Sequence, residues 1–313
     1  MKIIRSFSIL LPALCLLAVY QPVLSQKYIA DHTIAREEVL RSIPGKYIDK
    51  VRDELVVAFQ HTSHGTHVSR GMYGLQDYKP GDNHLFAISR FKKKAGHLYF
   101  MDEALEEYPP GAKDLSKGER TFVATTRNFL DARGNADVNV LIWAWCDIWD
   151  RDVEGNYLEG MTTLISEYGE GGSKLGTGSG KREQPVTFVF MTGDSRANGN
   201  VGFRQPRDQA KLIVEHCEAN AYLCLDIYSI NTHNMDGNYW EDAGCDGDSR
   251  AYGGNFYMDW QNSHVLGEDY FESKRNPKGD PRLGTHNTQY ILSNRKAYAM
   301  WWTLARIAGW DGN

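Results

Sequence analysis

The chain has 313 residues, of which 42% are hydrophobic and 24% are charged, and its formal net charge is −5. This composition is typical of a globular domain and excludes a disordered chain, a collagen-like repeat and a protein with many membrane spans. A net acidic chain without a stripe dense in lysine and arginine also disfavours binding of nucleic acid, because that binding needs clustered positive charge.

The N-terminal segment has the pattern of a secretory signal peptide. Lys2 and Arg5 precede an apolar run over residues 9–20, which is too short for a membrane anchor. Small side chains follow at the positions that a signal peptidase reads, ending at Ser25. We therefore predict that residues 1–25 are removed near Ser25 and that the mature protein is secreted or periplasmic, and not embedded in a membrane.

The mature chain alternates apolar strands with amphipathic helices. Runs rich in β-branched and aromatic residues predict strands at 54–60, 97–101, 138–145, 186–192 and 222–230. Helical patterns cover 121–133, 158–168, 207–220 and a closing helix that Ser293 caps and Gly309 ends. Continuous apolar strands separated by helices predict a three-layer α/β/α sandwich with a mainly parallel sheet. We expect a single domain over residues 26–313, with an elaborated loop at about 237–284.

Four cysteines remain after the predicted cleavage, and an oxidising compartment favours at least one disulfide among them. Cys146 lies in an apolar, strand-like run and is predicted to be a free thiol. Cys217 ends a predicted helix and Cys245 lies in a loop rich in glycine and aspartate. We favour a Cys217–Cys245 pair, with Cys224 as the other candidate partner.

The run from Gln60 to His67 is the most unusual part of the chain, and it follows the first predicted strand directly. A serine at a tight strand-to-helix turn exposes its hydroxyl and can aim backbone N–H groups at an oxyanion, which makes Ser63 a candidate nucleophile. The spacing of His61, His64 and His67 also allows a metal site. A third interpretation is that these histidines only bond the loop backbone, and all three remain open at this point.

The order of these features resembles the SGNH/GDSL hydrolase superfamily. Ser63 follows the first strand, residues 138–146 and 186–193 occupy later strand positions, and His286 stands just before the closing helix. The resemblance implies a flavodoxin-like sheet, a serine nucleophile at Ser63 and a histidine base at His286. The family places its acid three residues before that histidine, whereas the nearest acid here is Asp280, six residues before it.

Polar residues near other predicted strand ends complete the candidate site. The string Gly193-Asp194-Ser195 matches the family's first block literally, but it follows a later strand, so Ser195 is the weaker candidate nucleophile. Gly74 is a candidate backbone donor to the oxyanion. The side chains predicted to bind substrate are His61, His64, Asp147, Asp194 and Arg196.

These observations predict a secreted serine esterase that removes acyl groups from a carbohydrate, with no cofactor and no metal. Its expected partner is a small-molecule or glycan ester. The alternative is a non-catalytic or metal-assisted glycan-binding protein on the same fold, in which His61, His64 and His67 form the binding cluster.

Overall fold

A computed structural model describes residues 28–273 and 289–312. Its helices lie on both sides of a central sheet, and none in the described part of the chain is long and apolar enough to cross a bilayer. The main strands are β1 (Ile29–Ala30), β2 (Val56–Gln60), β3 (Ile88–Ser89), β4 (Leu98–Asp102), β5 (Val140–Trp143), β6 (Thr187–Met191) and β7 (Cys224–Leu225). A separate antiparallel hairpin consists of β8 (Asp248–Ser249) and β9 (Gly254–Asn255).

The helices follow the strands in alternation, as the sequence pattern predicts for a parallel sheet. The first six are α1 (Glu37–Ser42), α2 (Gly45–Glu54), α3 (Thr66–Leu75), α4 (Asp82–Leu85), α5 (Leu115–Gly118) and α6 (Phe122–Asp131). The remaining described helices are α7 (Glu159–Tyr168), α8 (Pro206–Asn220), α9 (Ile227–Thr232), α10 (Phe256–Asn262) and α11 (Tyr290–Ile307). The loop expected at about 237–284 therefore contains the β8–β9 hairpin and α10 within its described part.

The strand order determines where a ligand site can form. The described strands pair in the order β1-β7-β6-β5-β2-β4-β3, and every pair in this sheet is parallel. Without the short strands β1 and β3, this is the flavodoxin-like order, which confirms the predicted fold class. The order reverses between β2 and β5, so a crevice is expected beyond the carboxyl ends of these two strands.

Alternate residues of the strands face two separate cores. Val57 and Phe59 of β2 pack into the layer that holds α1, α2, α3 and α11. Their neighbours Val56 and Ala58 point to the opposite core, which α6 and α7 cover. Because both faces of the sheet are covered, its central strands β2, β5 and β6 are largely apolar, which is the pattern that predicts them from the sequence.

The predicted strand over 222–230 is half wrong, because β7 ends at Leu225. The Asp226 carboxylate accepts hydrogen bonds from the Ser229 backbone N–H at 3.0 Å and from the Thr192 hydroxyl at 2.9 Å. This cap starts α9 two residues after the strand ends, and the apolar residues that follow lie on a buried helix.

The buried Asp226 also predicts an effect of pH on stability. Burial raises the pKa of Asp226 to about 6, and the hydrogen bonds from Ser229 and Thr192 only partly oppose this rise. The folded protein therefore holds this proton more tightly than the unfolded chain does, and its stability falls as the pH rises from about 4 to 6. Asn in its place keeps the oxygen that accepts both hydrogen bonds.

We expect Asp226→Asn to raise the free energy of unfolding at pH 7 by up to about 3 kcal/mol and to change it little at pH 4. Urea unfolding at both pH values measures this. The exposed Asp53→Asn variant is the matched control and should have the same stability as the parent at both. A constant difference between Asp226→Asn and the parent across this range would contradict the prediction.

The predicted Cys217–Cys245 disulfide is absent, and the described cysteines form no other disulfide. All four described cysteines are free thiols, and Cys217 lies beside Cys224, at 4.3 Å, and not beside Cys245. Cys245 is instead close to Asp194 and Lys296. Cys217 lies in the last turn of α8 and Cys224 begins β7, so the short connection between these elements brings the two thiols together.

The closing helix α11 begins four residues earlier than predicted, because its N-cap is Gln289 and not Ser293. Ser293 is buried inside the helix, where its backbone carbonyl lies against Gly71 of α3, and Gln289 precedes the first turn. A Cβ on Gly71 would lie 2.1 Å from that carbonyl oxygen, so glycine allows α3 and α11 to pack closely. Gly309 ends the helix with φ of 96°, as predicted.

Candidate active site

Ser63 stands in a strained turn at the reversal point of the sheet. β2 ends at Gln60, and residues Ser63–Gly65 form a single 3₁₀ turn that leads into α3. The φ angle of Ser63 is 39°, in the left-handed region that side-chain-bearing residues rarely adopt. Such strain of about 1–3 kcal/mol persists only where the surroundings enforce it, and it is concentrated at functional sites. The Ser63 side chain remains half-buried, at the edge of the crevice.

The turn depends on Gly65. Its backbone N–H donates to the Thr62 carbonyl at 2.9 Å, which closes the turn. A Cβ at this position would lie 2.3 Å from the Cβ of His61 and 3.2 Å from that of Ala144. Only glycine therefore lets the turn pack against the two strands that flank the crevice.

We expect Gly65→Ala to destabilise the protein by about 1–3 kcal/mol and to displace the Ser63 hydroxyl, because neither neighbouring Cβ can move without moving its strand. Gly134→Ala is the matched control, since a Cβ there meets nothing within 4 Å. Urea unfolding gives the stability, and the rate of labelling by a serine-reactive phosphonate reports the hydroxyl. An alanine variant as stable and as reactive as the parent would refute this role of Gly65.

His61, two residues before Ser63, is anchored to the end of β4. Its side chain is 1% exposed, and its Nε2 lies 2.6 Å from Oδ1 of Asp102, the last residue of β4. Arg90 lies on the other side of this carboxylate, with Nη2 at 3.4 Å from Oδ2. Burial acts to raise the pKa of the Asp102 carboxyl, but the interactions of this group with His61 and Arg90 lower that pKa overall. His61 is thus a buried support and not the substrate contact that the sequence suggested.

Thr62 is held from the other side of the turn. Its hydroxyl donates to the Asp114 carboxylate, which is almost completely buried. Asp114 also accepts from the Lys117 backbone N–H at 3.2 Å and so caps α5. The residues before Ser63 are therefore fixed by two buried carboxylates, one at the end of β4 and one at the start of α5.

Ser63 and His64 both contact Cys146, which lies three residues after the end of β5. The Ser63 hydroxyl hydrogen-bonds the Cys146 thiol, and burial, with Asp114 and Asp147 nearby, raises the pKa of this thiol to about 11. The thiol is therefore protonated at neutral pH. His64 Nδ1 lies 2.8 Å from the Cys146 carbonyl oxygen. Since a carbonyl only accepts, Nδ1 donates and the proton-accepting nitrogen of a neutral His64 ring is Nε2.

A buried charged cluster lies beneath the turn. Asp194 Oδ1 accepts from the Asn231 amide at 2.7 Å and lies 3.4 Å from Nζ of Lys296, a residue of α11 that is fully buried. The same ammonium lies 3.3 Å from Nδ1 of His67. The other Asp194 oxygen lies 3.6 Å from His64 Nδ1. This Asp194–Lys296 cluster joins β6, α3, α9 and α11 directly behind the candidate nucleophile.

The exposed rim of the crevice carries Asp147, Trp149 and Arg196. Asp147 is half-buried and follows Cys146 directly. The Arg196 guanidinium is exposed and lies 4.7 Å above the centre of the Trp149 ring. The buried Asn200 amide accepts from the Arg196 backbone N–H at 2.6 Å, which anchors the loop that carries it. Asp147 and Arg196 thus lie where the sequence places substrate contacts.

The other predicted site residues lie elsewhere. His64 and Asp194 are buried beneath the surface of the crevice, and Ser195 is also buried, without a hydrogen-bond partner for its hydroxyl in the described part of the chain. Gly74 lies near the far end of α3, against Phe271. Asp280 and His286 fall outside the described residues.

The three neighbouring histidines have separate partners. His61 bonds Asp102, His64 bonds the Cys146 carbonyl, and His67 contacts Lys296. Within residues 28–273 and 289–312, no three His, Cys, Asp or Glu side chains are arranged to hold a metal ion. The metal alternative therefore gains no support from these side chains.

Sequence reasoning missed the residues that support the turn from a distance. Asp102 and Asp114 come from segments far from Ser63 along the chain, and only the pairing of β2 with β4 and β5 brings them close. Lys296 could have been recognised from the sequence, because it is a charged residue on the closing helix among residues that are buried, next to the apolar Ala297. A fully buried lysine requires a partner, and Asp194 supplies it.

Comparison of the chain with protein-family models, with curated proteins and with solved structures finds no match.

Proposed function

We propose that the chain is a serine esterase of the SGNH type, with Ser63 as its nucleophile. The observation that carries this proposal is the left-handed backbone of Ser63 in a turn fixed by Gly65 and two buried carboxylates. The turn lies where the strand order reverses, which is the usual ligand-binding position of such sheets. Ser195 lacks these properties, because it is buried and has an ordinary backbone conformation.

In the proposed reaction, Ser63 Oγ attacks the ester carbonyl carbon and transfers its proton to a histidine base. The resemblance assigns this base to His286. The positive end of α3 and the backbone N–H groups of the turn favour the developing oxyanion. The base returns the proton to the departing alcohol, and water then releases the acid from the acyl-serine while the base regenerates Ser63.

The rim supports a carbohydrate as the alcohol part of the ester. Trp149 offers an aromatic surface, and Asp147 and Arg196 offer an acceptor and donors of hydrogen bonds at its edge. This combination of aromatic and polar groups is suited to a sugar, which has apolar C–H faces and a hydroxyl-rich edge. The substrate we propose is accordingly an acyl group on a glycan.

The test is covalent labelling with a fluorophosphonate, followed by mass spectrometry of the labelled peptide. We expect a single adduct on Ser63 and protection of the serine by an acylated oligosaccharide. Ser195→Ala should be labelled as fast as the parent, and Ser63→Ala should remain unlabelled. An intact, folded parent protein without any adduct, or with an adduct on Ser195, would overturn the proposed function.

A further inference from the structure

A second cavity opens beside β4, one strand away from the Ser63 turn. It has a volume of about 310 Å³, at the small end of the range for ligand pockets, and aromatic and acidic side chains line it. Phe91 is 67% exposed on its wall, and Tyr99 and Tyr108 are half-buried there. We refer to it as the β4 cavity.

The cavity contains a buried donor that has no acceptor. The Arg90 side chain is 7% exposed and lines the cavity, and its Nη2 lies 3.0 Å from the Glu103 carboxylate and 3.4 Å from that of Asp102. Its Nη1 has no hydrogen-bond partner among the described residues. A buried, unpaired donor costs free energy, so its presence in a cavity wall points to an acceptor that a ligand supplies.

The charges of the β4 cavity select the class of ligand. Glu106 and Glu107 line it together with Asp102 and Glu103, against the single guanidinium of Arg90. This excess of carboxylates disfavours an anion. The ammonium group of an organic cation offers no acceptor to Arg90 Nη1. A neutral hydroxyl offers both an acceptor and a donor, and a sugar ring adds apolar C–H faces that fit aromatic walls.

The cavity is directly coupled to the Ser63 turn. The Asp102 carboxylate that Arg90 contacts also holds His61 at 2.6 Å. Ser63 is two residues further along the chain, so its Cα is at most about 7 Å from that of His61. The Ala104 backbone N–H donates to the Phe59 carbonyl at 3.2 Å, which fixes the cavity floor against β2.

We propose that the β4 cavity is a binding subsite for a neutral sugar residue of the glycan whose ester reacts at Ser63. The link between the sugar and the ester rests on the proposed function, whereas the binding of the sugar does not. Phe91 forms the exposed stacking surface of this subsite, and Arg90 and Glu103 bond the hydroxyls of the ring.

The test measures binding without turnover, by calorimetry on Ser63→Ala protein. The probes are xylohexaose, cellohexaose and mannohexaose as neutral glycans, hexagalacturonate as an anion and choline as a cation. We expect at least one neutral hexasaccharide to bind, and adding Phe91→Ala to weaken its binding at least tenfold. Adding Phe203→Ala, which removes a phenylalanine that is 85% exposed outside the cavity, should change binding less than twofold.

The outcomes separate this inference from the proposed function. Absence of binding by all three neutral glycans, equal binding with and without the Phe91 ring, or Phe91-dependent binding of choline or hexagalacturonate alone would overturn the subsite. Fluorophosphonate labelling of Ser63 in the parent protein is independent of these results. A labelled serine without glycan binding therefore removes the subsite alone, and Phe91-dependent binding without labelling removes the esterase alone.

Discussion

Replacement of Ser63 by alanine is expected to lower kcat for an ester substrate by roughly 10³-fold or more, because the covalent step has no other nucleophile in this turn. The substitution removes one oxygen atom from a half-buried side chain, so the fold should persist. Initial rates on an acetylated oligosaccharide measure the effect, and circular dichroism with urea unfolding confirms that the variant is folded.

The matched control is Ser195→Ala, which removes the same atom from the serine after β6. It should retain the rate of the parent, because the Ser195 hydroxyl is buried beneath the crevice. The opposite result, with Ser195→Ala inactive and Ser63→Ala active, would move the nucleophile to the string that resembles the family's first block.

The partner of Ser63 is tested by combining substitutions. If His286 is the base, His286→Ala should lower kcat by a similar factor, and the double variant Ser63→Ala/His286→Ala should be little worse than either single one. His97→Ala, at a half-buried histidine whose Nδ1 lies 3.0 Å from the Ala95 carbonyl oxygen, is the control for loss of an imidazole. If the double variant instead loses kcat by the product of the two single-variant factors, Ser63 and His286 do not share a proton-transfer step.

The sheet was predictable because its strands are buried on both faces. Residues 138–145 and 186–192 contain the uninterrupted apolar runs 140–145 and 188–191, and the structure has β5 and β6 over these runs. The same signal failed over 222–230, where Asp226 starts a helix inside an apolar run. Continuous burial gives no periodicity that distinguishes a strand from a buried helix, so only the capping carboxylate marked the change.

The candidate site was predictable in its chain order and not in its supporting contacts. Ser63 stands out because a polar run follows an apolar strand, which is a local pattern. The positions of Asp102 and Lys296 relative to it depend on strand pairing and helix packing over separations of 39 and 233 residues. No local pattern encodes such contacts. His61 shows the consequence, since its neighbours in sequence suggested a ligand contact and its neighbours in space make it a buried support.

The buried Asp194–Lys296 cluster should dominate the response of the fold to substitution. Both side chains are nearly or fully buried, and the carboxylate is the acidic partner of the Lys296 ammonium among the described residues. Asp194→Ala leaves that ammonium without its counter-charge, and removing one member of a buried pair costs about 3–5 kcal/mol. We therefore expect a loss of this size in the free energy of unfolding, measured by urea denaturation.

The double variant Asp194→Asn/Lys296→Met separates the charge from the packing. Asn keeps an oxygen that can accept from the Asn231 amide, and Met fills most of the volume of the lysine without a charge. Because a neutral pair does not have to be desolvated as ions, the double variant should be more stable than Asp194→Ala. Exposed Lys211→Met, whose carboxylate partner Glu215 lies 3.6 Å away at the surface, should change stability by less than about 1 kcal/mol. Equal losses in Asp194→Ala and in Lys211→Met would show that the buried cluster does not hold β6 and α11 together.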